Sequence, residues 1–132
     1  MINSNRAARV YSGMGQQGLV EDANSHRLIT MLFDGALDRL AAARGAMERR
    51  EIISKGQLIS KVITIVDGLR AHLDMDKGGV VAQNLRDLYD YMERKLFEAN
   101  ANNAPEMLEE VSSLIRTLRS GWVEIEDEVT RS

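Results

Sequence analysis

The sequence predicts an all-α protein: an antiparallel four-helix bundle with a short, partly mobile N-terminal segment able to pack as an extra helical turn. Three observations carry this. The chain has one proline, so long helix-forming runs go uninterrupted. Ala, Leu, Glu and Arg dominate, with few of the aromatic and β-branched clusters that mark strands. Apolar residues recur every three or four positions in four runs separated by short polar breaks, the pattern of antiparallel neighbours.

Residues 1–23 are sparse in apolar side chains and hold the glycine-rich stretch SGMGQQG, which predicts a flexible cap segment ahead of a bundle domain at 24–129. Val10, Tyr11 and Met14 still give one apolar side to a helical turn. The first helix is predicted over 24–50, with Asn24 capping its free amides and Ile29, Leu32, Phe33, Ala36, Leu40, Ala43 and Met47 turned inward. The second is predicted over 52–73, with Ile59, Val62, Ile63, Val66, Leu69 and Leu73 at helical spacing. Gly78 and Gly79 then suit a tight connection. They are no phosphate loop, since no GxxxxGK[ST] pattern surrounds them. The third helix is predicted over 80–101, with Val81, Leu85, Leu88, Met92, Leu96 and Ala99 as its core stripe. Pro105 opens the fourth, which carries Leu108, Val111, Leu114, Ile115, Leu118, Trp122 and Ile125 to about residue 128.

A chain of 132 residues is one domain, able to bury a core without staples. The absence of cysteine removes disulfides and thiolate metal sites and fits the cytoplasm. No secretory leader or membrane span is predicted. Net charge is -3 and uneven, about +2 over 1–50, about -1 over 51–104 and about -4 over 105–132, which argues against nucleic acid as the main partner. The acidic end, Glu124, Glu126, Asp127 and Glu128, reads chiefly as a solvated helix end.

Catalytic chemistry is thin. Of two histidines, His26 in the first helix reads as an exposed surface residue, and His72 lies near the end of the second. The residues three before them are Ala23 and Leu69, so the Glu-x-x-His pairs of di-metal bundles are missing. No cofactor, metal or catalytic residue is assigned, and the chain reads as a non-enzyme. The alternative is a signalling bundle: phosphotransfer through His72, or a regulatory adaptor.

What remains is surplus apolar surface. The second-helix apolar positions spread over roughly 160° of arc, with Leu58 and Ile65 on the margin, where a core face needs somewhat more than about 100°. On the third helix Phe97 projects about 140°, and Tyr91 about 100°, from the centre of the core stripe. Wide core packing and scattered exposed residues explain this as well as a groove for an amphipathic helix does. On the groove reading the partner-binding residues are Val10, Tyr11, Leu58, Ile65, Leu69, Tyr89, Tyr91 and Phe97, with Val10 and Tyr11 covering the empty groove until displaced. The same groove leaves the chain a monomer or weak homodimer.

The run DKGGVVAQNLRDLYDYMERKLFEAN at 76–100, with SHRLITMLFDGALDRL before it and LIRTLRSGW after it, resembles the flagellar secretion chaperones of the FliS family. Gly78, Gly79, Ala82, Asn84, Leu85, Leu88, Tyr89, Tyr91, Met92, Leu96, Ala99 and Asn100 stand at family spacing, and the likeness covers about 11–125. Ser25 replaces the usual proline. Tyr11 matches the family's N-terminal tyrosine near the ligand groove, with Ser12 where glutamine is common. The resemblance implies a cytoplasmic chaperone that binds the disordered C-terminal segment of flagellin, prevents early polymerisation, and presents the loaded subunit to the export gate.

Overall fold

The computed structural model describes residues 15–131, with side chains described over 25–125. Four helices follow in order: α1 (Gly15–Glu48), α2 (Ile52–Ala71), α3 (Met75–Asn102) and α4 (Pro105–Arg131). Their connections are two or three residues long, so each helix returns along its predecessor. α1 packs on α2, α2 on α3, α3 on α4, and α4 closes the ring against α1.

Such short turns must satisfy the last carbonyls of one helix while reversing the chain. After α1, Arg50 takes a left-handed φ of 60°. Its amide donates to the Met47 carbonyl at 3.2 Å, and the Glu51 amide donates to that of Ala46 at 2.9 Å, the paired bonds of a Schellman motif. After α3, Asn103 adopts φ 53° and ψ 50°, and its amide donates to the Ala99 carbonyl. The Ala104 amide donates to the same oxygen at 3.1 Å. Lys55, at the start of α2, completes this end. Its buried ammonium donates to the Asn100 carbonyl and to Asn103 Oδ1, both at 3.0 Å, placing a cation at the negative pole of α3.

Two expected boundaries move. α1 starts at Gly15, so Asn24 lies inside the helix and is not its cap. The glycine pair is not the connection between helices either. Asp74 Oδ1 accepts from the amides of Asp76 at 3.1 Å and Lys77 at 2.9 Å, restarting the helix before the glycines are reached. Gly79, at φ 53° and ψ -133°, then kinks α3 after its first turn. Gly78 has a separate reason: a Cβ there would stand 2.6 Å from that of Ala82.

The core stripes of α1, α2 and α4 fall where their periodicity put them, from Ile29 to Met47, Ile59 to Leu69 and Leu108 to Trp122, while Leu73 is buried from the connection after α2, which ends at Ala71 and not at residue 73. Leu32, Ile63, Leu114 and Leu118 pack against its edge. On α3 the stripe is Ala82, Tyr89, Met92, Leu96 and Ala99, with Leu85 and Leu88 beside it. Val81 is 65% exposed, contrary to expectation. Ala82 keeps the seven-residue spacing to Tyr89 and Leu96, and Val81 lies one residue, about 100°, off it. Replacing Gly79 by alanine forces a side chain into a backbone region that is almost exclusively glycine's. Urea denaturation should show a loss of about 1–3 kcal/mol.

Candidate partner-binding site

The side chains expected to bind a partner do not share one groove. Leu58 and Ile65 are half-buried on the α1 side of α2, and a Cβ on Gly35 of α1 would lie 3.6 Å from Ile65 Cδ1. Phe97 is 62% exposed and stands on α3 between Glu93 and Asn100, the residues that reach Arg70 and Lys55 of α2, so it borders the α2–α3 seam. Tyr91 turns the other way, its hydroxyl donating to Glu110 of α4 and its ring approached by Lys95 Nζ at 5.6 Å. Val10 and Tyr11 lie outside the described residues.

Leu69 and Tyr89 are buried, at 2% and 4% exposure. With Ile29, Phe33, Leu73, Leu85, Leu118 and Trp122 they line a cavity of about 50 Å³ inside the bundle. A partner reaches them only by inserting a side chain there. Burial pushes the Tyr89 hydroxyl well above its usual range, so it stays protonated. A second, open depression of about 840 Å³ runs along the first turns of α2, where Ile52 and Ile53 are exposed beside Leu58 and Lys61.

His26 is not the exposed residue expected from the sequence. It is fully buried and stacked on Trp122, ring centroids 3.8 Å apart and planes 7° apart. The Trp122 indole N–H donates to the His26 carbonyl at 2.9 Å, and His26 Nε2 lies 2.8 Å from the Trp122 carbonyl. A carbonyl only accepts, so Nε2 carries the proton and Nδ1 is bare. Nδ1 has no partner among the described residues, and burial lowers the imidazole to about pKa 4. Periodicity held the signal: His26 precedes Ile29, Phe33 and Ala36 on the buried stripe. His72 is half-buried at the end of α2, with Nδ1 2.8 Å from the Gly68 carbonyl.

The α2–α3 seam is acidic. Arg70 pairs with Asp67 at 2.9 Å, with Asp90 at 3.3 Å and with Glu93. Three carboxylates thus surround one guanidinium. Burial, and then the hydrogen bond Glu93 shares with Asp67, push the Glu93 carboxyl up to about 7 against the pull of Arg70. The α1–α4 seam is balanced, three arginines against three carboxylates: Glu109 accepts from Arg44 at 3.1 Å and from Arg116 at 2.7 Å, Asp34 accepts from Arg119, and Glu48 lies 3.5 Å from Arg44.

Among the described residues no group of three or more His, Cys, Asp or Glu side chains is placed to hold a metal ion, and no helix is long and apolar enough to cross a membrane. A helical bundle that exposes Leu28, Met31, Ile52, Ile53, Val80, Val81 and Phe97 and gathers no metal-ligand cluster among its described residues fits the class of protein-binding modules. The chain matches the family described as flagellar protein FliS over residues 7–129 and belongs to it. It is 50% identical over 117 residues to flagellar secretion chaperone FliSB of Pseudomonas aeruginosa, covering 89% of this chain and 93% of that one. It is 42% identical over 118 residues to flagellar secretion chaperone FliS of Salmonella typhimurium, covering 89% and 87%. With the Escherichia coli protein of the same description it shares 38% over 120 residues, covering 90% and 88%. The family is one of chaperones, not enzymes.

Two groups, the half-buried Glu93 and the buried His26, make stability depend on pH in opposite senses. Glu93, raised from 4.5 to about 7, holds a proton in the fold that the unfolded chain releases, so its contribution is present below about 4.5 and is lost as pH rises through 7. His26, lowered from 6.5 to about 4, contributes above 6.5 and loses that as pH falls through 4. Thermal melts of Glu93→Gln against the unmodified protein should show the variant gaining relative stability between pH 4.5 and 7. A difference that stays flat across that window would mean Glu93 titrates normally.

Proposed function

We propose that this protein is a cytoplasmic export chaperone that binds the disordered C-terminal segment of flagellin, prevents its premature polymerisation and keeps it competent for flagellar type III export. The observation that carries the reading is membership of a family whose relatives, 38–50% identical over most of the chain, are named flagellar secretion chaperones. The surface supports it. Leu58 and Ile65, Phe97 and Tyr91 sit on three successive seams, a spacing that suits an extended ligand wrapping the bundle better than one helix in one groove.

In this mechanism the ligand exchanges solvent for the seams and gains helix as it binds, and its ordering entropy offsets part of the apolar gain. Leu69 and Tyr89 act through the inner cavity, receiving an apolar side chain from the ligand. The loaded complex then presents a second surface to the export gate. No nucleotide or metal takes part.

Calorimetric titration with the C-terminal segment of the same organism's flagellin, with helix content followed by circular dichroism, tests this. One-to-one binding at micromolar Kd or tighter with a gain of helix is expected. His72→Ala should leave it unchanged, whereas Ile65→Glu or Tyr91→Ala should weaken it. Absence of both heat and helix gain from a folded protein would overturn the reading.

A further inference from the structure

The seams differ in charge, and the α1–α2 seam combines apolar side chains with two cations that no carboxylate among the described residues pairs. On α1, Leu28 is 43% and Met31 62% exposed. The approaches of Ile65 to Gly35 and of Leu32 to Gly68 fix the antiparallel level of α1 on α2, so Leu28 and Met31 lie at and beyond the level of Gly68, toward the C-terminal end of α2 and away from Leu58. Gly35 and Gly68 leave the floor of this seam without side chains. A Cβ on Gly35 would be 3.4 Å from Arg39 Nη1 as well as 3.6 Å from Ile65 Cδ1, which puts the guanidinium directly beside the apolar strip.

Arg39 donates one hydrogen bond, Nη1 to the Gly35 carbonyl at 3.2 Å, and no carboxylate among the described residues pairs with it. A guanidinium has five N–H donors. Lys61 lies on the same side of α2, one turn from Ile65 and lining the open depression with Leu58, and it too has no acidic partner among the described residues. On the α1–α4 and α2–α3 seams the arginines are matched or outnumbered: Arg44, Arg116 and Arg119 by Glu48, Glu109 and Asp34, Arg70 by three carboxylates.

We infer that the α1–α2 seam takes an amphipathic helix whose apolar face is bordered by carboxylates, with Arg39 and Lys61 receiving those carboxylates. The inference rests on the chaperone reading and says what kind of ligand helix this seam takes. An acid-bordered helix is attracted to this seam and repelled from the α2–α3 seam, where Asp67, Asp90 and Glu93 exceed Arg70. Charge therefore fixes the register of a ligand that apolar contacts alone would let slide.

The test is titration of the full-length protein with the C-terminal segment of the same organism's flagellin, at low and high salt. The comparison is between the unmodified chain, Arg39→Glu/Lys61→Glu, and the milder Arg39→Gln/Lys61→Gln, each checked for helix content and melting. The double reversal should raise Kd roughly tenfold at low salt and the neutral pair severalfold, with both losses shrinking at high salt. If the reversal fails to fold, the neutral pair decides. Undiminished binding by a folded variant would overturn the seam assignment and leave the chaperone reading standing. Failure of the unmodified protein to bind the segment would remove the chaperone reading itself.

Discussion

Three of the four seams are enforced by the chain, because helices joined by two or three residues have nowhere else to lie. The fourth, α1 against α4, joins the first helix to the last, and side chains alone must close it. His26 and Trp122 do so with a stacked pair and two reciprocal hydrogen bonds across 96 residues of sequence. Asp34 with Arg119, and Arg44 with Glu109, continue the contact along the two helices. The buried pair carries most of the burden, since exposed ion pairs contribute little net stability while an unmet buried polar group is costly. The cavity lined by Leu69 and Tyr89 is bounded on one side by Trp122 itself. The inner part of the candidate site therefore depends on ring closure.

Helix existence and most core positions were legible in the chain, because amphipathic periodicity over twenty or more residues leaves few alternatives. Errors arose where a short-range signal competed with a longer one. Asn24 is a good cap residue, yet helix continues through it from Gly15, so local preference yielded to propagation. Two glycines look like a turn. Asp74 caps the next helix first and reduces them to a kink and a close approach. His26 is polar by residue type, but its register on the stripe of Ile29 and Phe33 places it inside.

The candidate site was legible as composition and not as geometry. Helical arcs identified Leu58, Ile65, Phe97 and Tyr91 as lying off the core, but not which neighbour stood on each side. That depends on the handedness of the ring, which no spacing along one helix encodes. Electrostatics were harder still. Net charge along the sequence gives no hint that Arg70 gathers three carboxylates from two helices, or that Arg39 and Lys61 share a seam and find none. Charged residues acquire meaning only from partners distant in sequence.

Lys55 joins events that the sequence keeps far apart. Its ammonium, at the start of α2, holds the Asn100 carbonyl and the side chain of the left-handed residue Asn103. Fraying of the first turn of α2 therefore strips the end of α3 of its cation, and loosening of the Asn103 turn leaves a buried ammonium without acceptors. That end of the bundle opens as one unit or stays shut, so amide protons on both sides of it exchange with solvent together.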